Sequence, residues 1–225
     1  MAEMTRAIKP DPTKTSQIGP LINEAMIAHA MAELAAADPD MERALAHSGL
    51  PPLRPSEPGF RTLVNAICSQ QVSKASAAAI LGRLEEAIHP FSPARVMDFD
   101  EDSLRTLGLS RPKARYVMGM AQQIADGTLR LDRLSTFDDE TAIAELVKVK
   151  GIGRWTAEVY LLFALRRPDI WPVDDLAVVE AVRRLKGLPE RPKREQMYEI
   201  GQLWRPWRSV AARMMWHIYR TMPDV

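Results

Sequence analysis

Two glycines separated by a single residue, Gly151 and Gly153, lie between two segments whose apolar residues recur at helical spacing. Ahead of them, Asp138, Asp139, Glu140 and Thr141 form the polar start of a helix that carries Ile143, Leu146 and Val147 at three- and four-residue intervals, the mark of a helix with one buried stripe. Behind them, Ala157, Tyr160, Leu161, Ala164 and Leu165 repeat the pattern. A connection this short excludes most residues, whereas glycine reaches positive φ without steric cost. The sequence therefore predicts a helix, a tight hairpin and a second helix. At the start of that second helix the main-chain amides of Ile152, Gly153 and Arg154 lack intrahelical acceptors, and with the positive end of the helix dipole they suit a phosphate oxygen. Donors of this kind read no base sequence. The glycines alone leave open a tight connection with no ligand.

From Leu21 onward the pattern is helical almost throughout. Predicted helices run over 21–37, 41–47, 60–69, 73–88, 176–185, 193–204 and 206–219, with Ser73 as an N-cap, Ser92, Asp100 and Ser110 opening further short ones, and Gly108, Gly127 and Gly187 as stops. Alternating β-branched residues are missing, so the expected fold is all-α. Pro51, Pro52, Pro55 and Pro58 mark a rigid connection and a lobe boundary. The expected organisation is a flexible arm over 1–19, a lobe of 20–58 with 170–225, and a helical-bundle lobe of 59–169 that ends in the helix-hairpin-helix at 138–165. A binding cleft is expected between the two lobes.

The formal net charge of +1 does not announce a nucleic-acid partner. Its distribution is more suggestive, because Arg154, Arg166, Arg167, Arg183, Arg184, Arg205, Arg208 and Arg213 all fall in the last third of the chain. The single cysteine, Cys68, cannot form an internal disulfide and cannot by itself ligate an iron-sulfur cluster. No run is apolar for long enough to span a bilayer. His29, His47, His89 and His217 lack zinc-type spacing. A reducing compartment is expected: cytoplasm, nucleoid or nucleus.

The run Gly151-Ile-Gly153-Arg-Trp155-Thr156-Ala157, followed by a helix, then Trp171-Pro-Val-Asp174-Asp175-Leu and later Trp204-Arg-Pro-Trp207-Arg208-Ser209, resembles the signature of the helix-hairpin-helix base-excision DNA glycosylases. In detail it is most similar to the 3-methyladenine DNA glycosylase II group, over roughly residues 60 to 220. The best-known members of that group carry an N-terminal β-rich domain, for which the helical pattern leaves no room.

The resemblance implies a monomeric enzyme that flips an alkylated base out of double-stranded DNA and hydrolyses its glycosidic bond, with no cofactor. Such cleavage builds positive charge on the sugar, which a fixed carboxylate stabilises. An Asp before an apolar helical run is also an ordinary N-cap. Counting from the hairpin, the alkylbase members place their catalytic aspartate at Asp175, whereas the Pro-Val-Asp pattern of the oxidised-base members points to Asp174. The count favours Asp175 and leaves the cap to Asp174. Bifunctional members carry a lysine two residues after the second hairpin glycine, and this chain has Trp155 there. A monofunctional hydrolase that does not nick the strand is therefore implied.

By the same resemblance Trp155 and Trp216 face each other across the base pocket, with Val159 where relatives have tyrosine. Gly151, Ile152, Gly153, Arg154, Thr156 and Ser73 contact DNA, and Gln71 fills the gap left by the flipped base. Carbonyls of Val147, Val149 and Ile152 would hold a structural sodium or potassium ion. Other functions stay open: a helix-hairpin-helix module that binds DNA without chemistry, a helical scaffold or partner-binding protein with no DNA role, and a glycosylase for oxidised or mismatched bases.

Overall fold

A computed structural model describes residues 21–221; the arm expected over 1–19 lies outside them. Among the described residues there are twelve α-helices and no strand. They are α1 (Glu24–Ala37), α2 (Pro39–Ser48), α3 (Phe60–Cys68), α4 (Lys74–Ala87), α5 (Pro93–Val96), α6 (Glu101–Thr106) and α7 (Arg111–Ala125). After a 3₁₀ turn at Leu131–Thr136 come α8 (Asp139–Val147), α9 (Arg154–Phe163), α10 (Leu176–Leu185), α11 (Arg194–Gln202) and α12 (Arg208–Thr221).

Local hydrogen bonds explain where the helices begin. The side chains of Ser73, Ser92, Asp100 and Asp138 each accept the amide three residues on, which satisfies a donor that the helix itself cannot. Asn23 does the same for Met26, so the first helix begins at Glu24 and not at Leu21. The helices that stop at Gly108, Gly127 and Gly187 do so with positive φ at each.

Helices α1 and α2 pack against α10 and α12, while α3 packs against α4, α7 and α9, and α8 lies on α9. Apolar residues of both groups belong to one contiguous core. The first group is tied by Asp38, almost fully buried, which caps α2 through the Asp40 amide and accepts from Trp204 Nε1 at 2.8 Å and Lys186 Nζ at 2.7 Å. Burial opposes ionisation of this carboxyl, but the Lys186 and Trp204 hydrogen bonds prevail and hold its pKa below the ordinary value. The proline-rich connection between α2 and α3 is pinned to α9 and α12: the Leu53 carbonyl accepts from Arg213, the Ser56 amide donates to the Phe163 carbonyl at 3.1 Å, and the Gly59 amide donates to the Tyr160 hydroxyl at 2.8 Å. It therefore runs alongside α9.

Candidate active site

The hairpin between α8 and α9 is as tight as its sequence requires. Gly151 has φ +93°, and a Cβ built on it would lie 2.4 Å from the Tyr116 ring, so both conformation and packing exclude a side chain there. Gly153 differs. It caps α9 in an extended conformation, φ −87°, and a Cβ there would meet nothing within 4 Å. No internal constraint demands glycine at 153, and the open space lies over the start of a helix.

One expectation about this turn is corrected. The Ile152 amide is not free, because it donates to the Val149 carbonyl at 3.0 Å, and the Ile152 side chain is buried. At the start of α9 the amides of Gly153, Arg154, Trp155 and Thr156 have no acceptor, and the first three are the ones nearest the hairpin. The Arg154 guanidinium is engaged by Glu140, at 2.9 and 2.6 Å, and by Glu158, at 2.9 Å, so only its main chain faces outward as a donor. Glu158 is buried with Oε2 unpartnered, and burial pushes its pKa up to about 7 against the opposing pull of Arg154.

The two adjacent aspartates are placed differently from the expected division. Asp175, 8% exposed, is itself the N-cap of α10. Its Oδ1 accepts from the amides of Ala177 and Val178 at 3.0 and 2.9 Å and from Trp216 Nε1 at 3.1 Å, while Oδ2 accepts from Trp155 Nε1 at 2.9 Å. One carboxylate thus does the capping and faces both indoles. Asp174 does neither: its side chain is 44% exposed and paired with Arg194 at 2.8 Å. The expectation that Asp174 caps the helix is wrong, because the turn at Pro172 to Asp174 rotates it toward α11. With three donors on Oδ1 and one on Oδ2, Oδ2 is the oxygen with capacity to spare.

Trp155, whose indole donates to Asp175, lines a cavity of about 250 Å³ together with Thr156, Val159, Tyr160 and Phe163 of α9, Asn65 and Ala66 of α3 and Ser69 just after it. Trp155 is 45% exposed at its mouth. Trp216 does not line this cavity, contrary to expectation; it packs on Phe163, with ring centroids 5.3 Å apart, and Phe163 supplies the aromatic surface on that side. Trp204 and Trp207 are core residues. Thr156 is buried and belongs to the cavity wall, not to the outer face.

The loop from Ser69 to Ser73 stands over the cavity. Gln71 is exposed with φ +56°, a left-handed conformation that a non-glycine residue adopts only when its surroundings hold it there. Those surroundings were not visible in the sequence. Gln70 Nε2 donates to the Gly151 carbonyl at 2.8 Å, and Lys113 Nζ donates to the carbonyls of Cys68 and Gln70 at 2.8 and 2.7 Å. The Ser73 hydroxyl is engaged in capping α4. Asn65, Phe163, Gln70 and Lys113 are thus site residues that sequence reasoning missed. Only the proximity of Gln70 to Gln71 could have hinted at any of them.

Residues 64–206 match the family described as HhH-GPD superfamily base excision DNA repair protein. DNA-3-methyladenine glycosylase 1 of Schizosaccharomyces pombe is 31% identical over 169 residues, 72% of this chain and 72% of that protein. Among solved structures, a DNA-3-methyladenine glycosidase from Bacillus halodurans superposes with a TM-score of 0.79 at 28% identity, covering 85% of this chain and 89% of that one. The Schizosaccharomyces pombe 3-methyladenine DNA glycosylase in complex with abasic DNA superposes with a TM-score of 0.74 at 28% identity, covering 84% and 95%. The alignments span only 43% and 56% of two curated Bacillus subtilis relatives.

Proposed function

The chain belongs to the HhH-GPD superfamily of base excision DNA repair proteins, and from that premise we propose that it is a monofunctional DNA glycosylase acting on cationic alkylated bases, such as 3-methyladenine and 7-methylguanine, in double-stranded DNA. The observation that carries this is the cradle around Asp175: a carboxylate oriented by four hydrogen bonds, two of them from indoles, one of which, Trp155, also walls an aromatic-lined cavity of about 250 Å³.

Flipping delivers the base into the cavity, where Trp155 and Phe163 offer π faces. A cationic ring gains about 0.5 to 2 kcal/mol per favourable face beyond plain stacking. The bond between C1′ and the ring nitrogen then breaks, its electron pair neutralising the base. Because the base leaves as a neutral molecule, no general acid is needed. Positive charge left on the sugar is stabilised by Asp175, whose Oδ2 also accepts a proton as water adds to C1′. With Trp155 where a lysine would form a Schiff base, the product is an abasic site in an intact strand.

The amides of Gly153, Arg154 and Trp155 grip a phosphate of the bound strand, and the missing side chain at Gly153 gives it clearance. Gln71, held in its strained conformation, enters the stack and faces the orphaned base. The carbonyls of Val147 and Ile152 accept no hydrogen bond from described residues, and that of Val149 accepts one. These three carbonyls would hold a monovalent cation, which would supply positive charge beside the bound phosphate. The protein works as a monomer on DNA.

Release of free bases from methylated duplex DNA, resolved by base and run beside a strand-nicking assay, tests the proposal. The expected result is release of 3-methyladenine and 7-methylguanine without nicking. An absence of release from any methylated duplex would overturn it, and nicking would overturn its monofunctional part.

A further inference from the structure

The chemistry above leaves unused a narrow cleft on the other side of Phe163, lined by Pro52, Arg54, Phe163, Arg213, Trp216 and His217. Its lining carries two arginines and a histidine but no carboxylate. Arg213 is only 3% exposed. Its two terminal nitrogens donate to the Leu53 and Leu162 carbonyls, its guanidinium lies 4.5 Å from the Phe163 ring centroid, and its Nε has no partner. Burial pulls its pKa down to about 10, which leaves it charged at neutral pH. No carboxylate among the described residues pairs with it or with Arg54. A buried cation without a counter-charge is costly, and a second cation in the same cleft adds to that cost until an anion arrives.

Arg54 also has φ +44°. Left-handed backbone at an exposed arginine is unfavourable and persists only where its neighbours over-determine it. Here they do: the Leu53 carbonyl is held by Arg213 and the Ser56 amide by the Phe163 carbonyl. The residues that strain Arg54 are thus the ones that build the cleft. A nucleotide whose C1′ lies at Asp175 has a phosphate on each side of its sugar, and the hairpin amides can hold only part of that backbone. The cleft is separated from Asp175 by a single residue, Trp216, whose Nε1 donates to that carboxylate.

We propose that Arg54, backed by Arg213, is a second phosphate clamp, receiving a backbone phosphodiester of the lesion strand across Phe163 and Trp216 from the base cavity. The cleft's free volume of about 20 Å³ takes a group the size of one water, so a phosphate oxygen enters and Arg54 closes over it from outside. The inference rests on the glycosylase reading, since it is that reaction which brings a strand to Asp175.

The test is equilibrium binding of a duplex with a stable abasic-site analogue over a range of salt concentrations, with thermal melting in parallel, for wild type, Arg54→Gly and Arg54→Lys. Glycine removes the charge and relieves the positive φ together. A phosphate clamp predicts that Arg54→Gly binds several-fold more weakly and that its plot of log affinity against log salt is shallower by about 0.9. Its melting temperature should equal or exceed that of wild type, and Arg54→Lys should keep the wild-type slope. A slope unchanged in Arg54→Gly, whether or not stability moves, would overturn the clamp while leaving DNA binding and the glycosylase reading intact. A wild-type protein that binds no duplex at any salt concentration would take down both.

Discussion

The hairpin at 148–154 is made from consecutive residues, whereas the cradle around Asp175 draws its donors from α9, α10 and α12, with Trp155 and Trp216 61 positions apart in the chain. The hairpin presents main-chain amides, so what it offers a phosphate depends on backbone shape alone. The cradle presents side chains, and its function depends on three helices being packed in register. A site of the first kind tolerates changes of residue type at most of its positions. A site of the second kind fails when any one support moves.

The sharpest test of that contrast is at the paired aspartates. Asp175→Asn should lower base excision by about 10²-fold or more, with DNA affinity and folding retained because asparagine caps a helix about as well. Asp174→Asn, losing only an exposed pair with Arg194, should stay within about a factor of three of wild type. Base-release rates on methylated duplex decide it, and the reverse order would break the comparison.

Next in size are the two glycines. Gly151→Ala should cost about 1 to 3 kcal/mol in a denaturant melt, since it combines φ +93° with a clash against Tyr116. Gly153→Ala should leave stability within about 0.5 kcal/mol yet weaken DNA binding several-fold. Equal stability losses at the two positions would show that the space over Gly153 is not kept for a ligand.

A smaller effect is expected beneath the hairpin. Glu158 faces Arg154, with Glu140 and Asp174 nearby, and burial raises its pKa from 4.5 to about 7. Between those values the folded state holds a proton that the unfolded state has lost, so stability falls as pH rises through this window and levels off above it. Melting temperatures over that range should show this decline, and Glu158→Gln should flatten it. The smallest expected change is at Val159, where Val159→Tyr narrows the cavity. It should reduce release of 7-methylguanine relative to 3-methyladenine by a few-fold, measured on one methylated substrate.

Most helix starts were legible because the bonds that fix them are short in range. Ser73, Ser92, Asp100 and Asp138 cap their helices by bonds that reach three residues, and α10 occupies the predicted 176–185. The sequence was read incorrectly where two neighbours compete for roles. Asp174 and Asp175 have the same side chain, and which one caps α10 depends on how the preceding turn meets α11. The Arg154 side chain lies among residues expected to contact DNA, yet Glu140, fourteen positions earlier, engages it. Trp216 fell one ring short of its expected place because Phe163 stands at the cavity in its stead.

By itself, then, the chain's residue order determined the all-helical fold, the hairpin and its glycine at 151, because helix periodicity, caps and positive φ are properties of a few adjacent residues. Tertiary packing alone decided which aspartate meets the indoles, how Gln70 and Lys113 hold the loop at Gln71, and why Arg54 is strained beside a buried cation. Each of those depends on groups far apart in the chain, and their encounter is set by how the helices pack, which no local pattern encodes.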